Sequence, residues 1–248
     1  VSESKLKFSS DNQKLGEKVL TFSIPAGFSC PGALQCLSKA DPDVGTITDG
    51  PKTEFRCFSA TLEAAFKNVR AARWHNFKLL TEAKSTEAMT RLIIDGLGEH
   101  VTRSTKAVRI HVAGDFFNQD YFDAWLNAAR DFSGTKFYAY TKSLPFWVAR
   151  LKMLPENLAL VASRGGKHDA LIDKFKLPSA VVVFHPEEAE AKGLEIDHND
   201  TLAMQGKTFA LLIHGTGPAG SKHAAALKRM DAEGITYSYS RARAKTSV

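Results

Sequence analysis

From Ala107 onward, short apolar runs of strand length alternate with helical stretches, and this rhythm limits the fold more than any other feature of the sequence. Val108-Arg109-Ile110-His111-Val112 has strand composition, and Tyr121, Phe122, Trp125, Leu126 and Ala129 then fall on one face of a helix capped near Asn118. The unit recurs: strands are expected at Lys136 to Thr141, Leu158 to Ser163, Ala180 to Phe184 and Thr208 to His214, with helices at about 145–153, 167–175, 186–192 and 219–230. Lys18 to Ile24 alternates as an earlier strand, which gives six βα units. Strands so rich in Val, Ile, Leu and Phe imply a parallel sheet covered by helices. A doubly wound sheet and a barrel both fit. The expectation carried forward is one α/β domain over 1–248, a partial or open (βα) barrel of about six mainly parallel strands. Gly234 to Tyr239 is a candidate last strand, and 240–248 reads as a basic mobile tail.

All three cysteines, Cys30, Cys36 and Cys57, lie in one loop at 28–57 between the first strand and the rest of the array. Pro31, Gly32, Pro42, Gly45, Gly50 and Pro51 give this loop little regular structure. A helix follows directly from Phe58, with Leu62, Ala65, Phe66, Val69, Ala72, Phe77 and Leu80 near one face. A second begins after Ser85 and carries Met89, Leu92, Ile93 and Leu97. Thiolate is a soft ligand suited to iron–sulfur clusters, zinc and copper(I), and a cluster needs one protein ligand per iron. Three thiolates therefore suffice for three irons of a 4Fe-4S cluster. Zinc is the competing metal: a Cys3His site would draw on His75 or His111, although no closely spaced cysteine pair occurs. Three buried, inert thiols are the plainest alternative.

In barrels, chemistry gathers on the loops after each strand's C-terminal end. Those positions hold Asp115 after Gly114, Lys142, Arg164, and His214-Gly215-Thr216-Gly217. Asp115 is a candidate for an ammonium group or a metal-bound water, and it rivals His111 as fourth cluster ligand. His111 is expected to share a strand face with Arg109 and Ala113. Lys142 and Arg164 would offer positive charge to a carboxylate or phosphate. Gly215 to Gly220 fits G-x-G-x-x-G between a strand and a helix, so Gly215 and Gly217 are candidates to cradle a phosphate. The plain alternatives are a turn or helix-start aspartate for Asp115, solvated charge for Lys142 and Arg164, a tight turn for the glycines, and for His111 a hydrogen-bonded core residue, which a lone strand histidine more often is. Arg70, Arg73, Trp74, His75 and Lys78 interleave basic and aromatic residues along a helix, a pattern able to meet nucleic acid, although a packed Trp with solvated charges gives it too.

The net charge of +6 is common among proteins that bind no nucleic acid. An odd cysteine count without an apolar leader argues for reduced thiols and a cytoplasmic setting. No apolar run approaches the roughly 18 residues of a membrane span, so no membrane partner is expected.

Ser29-Cys30-Pro31-Gly32-Ala33, Cys57, His111 to Phe117 and Phe137 to Ser143 occur in an order that resembles the bacteriophage "gene product 88" family, over Ser23 to Tyr239. The resemblance implies a phage protein in the host cytoplasm. A cysteine loop before a βα array also resembles the radical S-adenosylmethionine superfamily, which implies a cluster with S-adenosylmethionine near Asp115, Lys142 and Gly215. That superfamily shows C-x3-C-x2-C, whereas here five residues separate Cys30 from Cys36 and twenty more precede Cys57. Its second strand ends in glycine and glutamate, to which Gly114-Asp115 is a shortened counterpart. Two functions follow as expectations. One is an iron–sulfur enzyme using a small-molecule cofactor. The other is a non-catalytic phage protein that binds nucleic acid or a host protein, its loop fixed by a structural cluster or zinc.

Overall fold

The computed structural model describes residues 5–10 and 18–235. Strand β1 (Val19–Ser23) leads into the cysteine loop, which holds a small hairpin of β2 (Ser38–Ala40) and β3 (Ile47–Asp49). Helices α1 (Phe58–Ala65), α2 (Lys67–Glu82) and α3 (Thr86–His100) complete this first crossover. The regular part follows as β4 (Ala107–Ala113), α4 (Gln119–Asp131), β5 (Lys136–Thr141), α5 (Leu144–Val148), β6 (Leu158–Ser163), α6 (Ala170–Phe175) and β7 (Ser179–Val183). Helices α7 (Pro186–Ala191) and α8 (Thr201–Met204) lead to β8 (Phe209–Leu212), and α9 (Lys222–Ala232) comes after it.

The six long strands pair in parallel in the order β1-β4-β5-β6-β7-β8. A doubly wound sheet reverses its order at a switch point, and no reversal occurs here. The sheet is therefore of open-barrel type. Both edges are partly covered: Ser9 bridges β1 at Thr21, and the segment at Ile196 bridges β8 at Ala210. Such pairing hides strand edges that would otherwise recruit another chain.

Side-chain alternation sorts the strands into two main cores, with a third cluster where Val183, Ala210 and Leu212 of β7 and β8 meet Ala189 and Met230. Leu20, Phe22, Val108, Ile110, Phe137, Ala139, Leu158 and Leu160 point outward against α3 and α4, where Ile93, Leu97, Tyr121, Phe122 and Trp125 are fully or almost fully buried. The intervening positions Val19, Ala107, Tyr138 and Val161 point to the concave side and meet Leu202 and Ala203 of α8. Each large apolar side chain removed from water contributes roughly 1.5–3 kcal/mol, so the helix-side layer is the main source of stability. Among the described residues, no helix is long and apolar enough to cross a membrane.

Several expectations need adjustment. The helix from Phe58 is two helices, because Phe66 is extended (φ −123°, ψ 101°). The break turns α2 so that its arginines reach back under α1. The cysteine loop holds the β2–β3 hairpin, and α8 had no periodic signal at four residues. Residues 236–239 of the candidate last strand and the whole 240–248 tail lie outside the described residues.

Candidate metal and ligand site

Each cysteine is placed by a separate local device. Cys30 ends a tight loop after β1, where the Gly27 N–H donates to its Sγ at 3.3 Å and the Ser29 hydroxyl donates to the Pro25 carbonyl at 2.7 Å. The next residues are stitched across the ends of β5 and β6: Lys167 N–H donates to Gly32 O at 2.9 Å and Gln35 N–H to Gly165 O at 3.0 Å. This approach requires glycine. A Cβ on Gly32 would lie 2.1 Å from the Lys142 carbonyl oxygen, and Gly165 has φ +84°. Cys36 follows those stitches. Cys57 is the N-cap residue of α1.

A buried charged clamp fixes the cysteine segments relative to each other. Glu63 of α1, fully buried, accepts the Ala26 N–H at 2.9 Å and Arg73 Nη1 at 2.7 Å. Arg73 also donates to Ser59 O at 2.9 Å. Arg70 donates to the carbonyls of Glu63, Pro42 and Asp43. The basic-aromatic pattern on α2 is thus corrected in part. Arg70 and Arg73 are buried clamps, neither solvated nor turned toward a partner.

Cys30, Cys36 and Cys57 line one cavity of about 240 Å³ together with His111, Asp115, Lys142 and His214. Burial pushes all three thiols up, Cys30 well above the ordinary range and Cys57 to about 11. For Cys36 the nearby Lys142 ammonium opposes that rise. Metal coordination would reverse the preference, since a coordinating thiol is deprotonated outright. Among the described residues, no group of three or more His, Cys, Asp or Glu side chains is arranged to hold a metal ion. The three thiols share this cavity.

Other candidate residues are engaged within the protein. Asp115 accepts the Thr141 hydroxyl at 2.6 Å and the N–H groups of Phe116 and Lys142 at 2.7 and 2.8 Å, and burial holds its carboxyl above the usual range. These bonds tie the ends of β4 and β5 together. Lys142 Nζ donates to Ser163 O, Ser163 Oγ and Arg164 O. Arg164 itself bonds Asp173 and Ser179 and does not line the cavity. Gly215 and Gly217 are also outside it; they pack on Phe58 and His223.

His111 departs from simple alternation. The β1–β4 register runs from Thr21↔Arg109 to Ser23↔Ala113, so β4 carries extra residues there, and His111 has φ +63°. Its ring therefore packs on Phe22, Phe116 and Tyr121 of the helix-side core, while Arg109 stays on the concave face. Its Nε2 is 2.9 Å from the Tyr121 hydroxyl, and its Nδ1 has no hydrogen-bond partner. Burial pushes this imidazole down to about 3, so it is neutral at ordinary pH.

The cavity also has a polar floor that the motifs did not reveal. Asp200, buried and left-handed at φ +65°, accepts Arg109 Nη1 at 2.5 Å, the Tyr138 hydroxyl at 3.2 Å and the Tyr140 hydroxyl at 3.1 Å. An arginine inside an apolar strand is a signal the sequence does carry. Asp200 had none, because it arrives from the loop before α8.

Comparison with known proteins places the chain by sequence. The family profile described as "Gene product 88" matches residues 2–232. The "Gene 88 protein" of Mycobacterium phage D29 is 30% identical over 186 residues, covering 73% of this chain and 65% of the relative. The "Gene 88 protein" of Mycobacterium phage L5 gives the same identity and coverage. The matched region thus spans just under two thirds of the length of these curated relatives. No solved structure matches.

Proposed function

The chain belongs to the gene product 88 family, and from that premise we propose that it is an iron–sulfur protein whose cluster is held by Cys30, Cys36 and Cys57. We infer further that it is an enzyme acting on a small molecule in the cavity beside those cysteines. The observation that carries the reading is the shared cavity: the three thiols of the 28–57 loop line one space at the C-terminal ends of parallel strands. Active sites of barrel enzymes gather on that side of the sheet.

A cluster accounts for the arrangement better than zinc. A single zinc ion draws its thiolates to about 2.3 Å from one centre, whereas a cluster takes one thiolate at each of several irons. Zinc sites bring their cysteines in closely spaced pairs, and Cys30, Cys36 and Cys57 contain no such pair. Lys142, already drawn toward the cavity wall by Ser163 and Arg164, supplies positive charge near the anionic sulfurs. The chemistry a cluster supplies is electron transfer, and at an open iron it can also bind a ligand.

With three cysteines, one iron of a 4Fe-4S cluster is left to another group. His111 is one candidate, because Nδ1 lacks a hydrogen-bond partner while Nε2 is fixed by Tyr121. A small molecule is the other, and S-adenosylmethionine belongs to this class. The reading is tested by purifying wild type and the Cys30→Ala, Cys36→Ala and Cys57→Ala variants without oxygen. Wild type is expected to retain iron and each variant to lose most of it. Full iron in any variant removes that cysteine from the ligand set. An electron paramagnetic resonance signal that changes when S-adenosylmethionine is added would identify the fourth group as that cofactor; an unchanged signal assigns the corner elsewhere.

A further inference from the structure

We propose that the floor of the cavity is a binding site for a small organic carboxylate, received by the Arg109 guanidinium with Asp200 behind it. Arg109 stands on the concave face of β4, in register with Thr21 on one side and Tyr138 on the other. Its side chain keeps 11% of its surface exposed while that of Asp200 keeps 1%, and both residues border the cavity. On this face the exposed part of Arg109 opens onto the cavity. The carboxylate lies deeper, so the pair directs its positive end toward an incoming ligand.

The guanidinium is also held in orientation. Its centre lies 5.0 Å from the Tyr140 ring, and that same tyrosine donates to Asp200. A planar fork braced on an aromatic ring and a buried carboxylate is preorganised for a carboxylate partner. Ser163 borders the same space, and its Oγ already accepts Lys142 Nζ at 2.8 Å, so its hydroxyl hydrogen is directed elsewhere. The two carboxylates of the cavity, Asp115 and Asp200, each accept from three protein donors, an arrangement that disfavours a cationic ligand. Val182, Leu211 and Ile213 supply apolar wall for a short hydrocarbon tail.

As the substrate class of a cluster enzyme, this inference rests on the reading above; as a binding site, it rests on the cavity alone. The test is calorimetric titration of the full chain with hexanoate and with its neutral counterpart hexanamide, before and after removal of any bound metal. Hexanoate is expected to bind roughly tenfold or more tighter, the scale of a charge-assisted hydrogen bond. The double variant Arg109→Gln/Asp200→Asn, which strands neither charge, is expected to lose that preference with little change in Tm. If it does not fold, Arg109→Lys keeps a cation beside Asp200 but lacks the fork, and the preference is expected to fall several-fold. Hexanoate that fails to bind, binds no better than hexanamide, or keeps its preference in these variants overturns the proposal and leaves Arg109–Asp200 as a brace for α8. Protein that carries no iron when purified without oxygen yet prefers hexanoate retains this site and sinks the cluster reading. Iron-loaded protein indifferent to hexanoate does the reverse.

Discussion

The first crossover of the sheet and the four that follow are built by different means. Between β4 and β8 the chain returns through short helices that lay apolar faces on the strands, as Tyr121, Phe122 and Trp125 of α4 do. Between β1 and β4 it carries the hairpin, three helices and all three cysteines, and near the cavity it is held by buried charge and by backbone stitches. Apolar packing is tolerant of small shifts and serves to build a scaffold. Hydrogen bonds to Glu63, Arg70 and Arg73 are directional, so they fix where Cys30 and Cys57 stand. The contrast assigns stability to one region and site geometry to the other.

The largest expected effect comes from breaking the clamp. Glu63→Ala leaves Arg73 buried without its carboxylate, and urea denaturation should show a loss of about 3–5 kcal/mol. Labelling of Cys30 and Cys57 by a thiol reagent should also accelerate under native conditions. A loss below about 1 kcal/mol with unchanged labelling would mean that the clamp does not place the cysteines. Phe122→Ala sharpens the comparison from the other side: a similar loss from cavity formation should leave thiol labelling in the folded state unchanged.

Gly32→Ala is smaller in scale. Its Cβ would meet the Lys142 carbonyl at 2.1 Å, so about 1–3 kcal/mol is expected from overpacking. Iron binding should weaken as Cys30 and Cys36 move off the strand ends. Iron binding equal to wild type would show that these stitches are not needed for the site.

Acid should act on the helix-side core through His111. Its folded-state pKa of about 3 lies below the ordinary histidine value, so the unfolded chain binds a proton first as pH falls. The stability from keeping it neutral is full above about pH 6.5 and declines toward its folded pKa. In metal-free protein, this group should contribute a loss of roughly 2 kcal/mol between pH 6.5 and 5. His111→Asn tolerates the left-handed backbone and should flatten that slope. An unchanged slope would assign the acid sensitivity to other groups.

The smallest effect is expected on the exposed side of α2. Lys78 is largely exposed and pairs with Glu82 only at 4.0 Å, so Lys78→Ala should change stability by under about 0.5 kcal/mol. A larger loss would mean that this surface also carries part of the architecture.

The regular crossovers were legible because period and composition agree there. Leu20 and Phe22 against Val19, or Phe137 and Ala139 against Tyr138, alternate as a strand buried on both faces must. That the three cysteines keep together was legible because they cluster in sequence, and the strand-end rule brought Asp115, Lys142 and His214 to the same cavity. Long-range pairing was not legible. Nothing in Gly215 to Gly220 distinguishes a phosphate cradle from glycines packed on Phe58 and His223. The extra residues in β4 turned His111 from its expected face, and a two-residue period cannot anticipate them. Arg70 and Arg73 have the composition of a nucleic-acid surface, yet acceptors on α1 and the cysteine loop draw them inward. Asp200 reaches Arg109 across 91 positions of sequence.

The central claim is that the three cysteines hold an iron–sulfur cluster, and acid-labile sulfide tests it most directly because zinc and structural thiols contribute none. Wild-type protein purified without oxygen should contain inorganic sulfide in proportion to its iron. Protein with neither iron nor sulfide, or with zinc in place of both, would contradict the account.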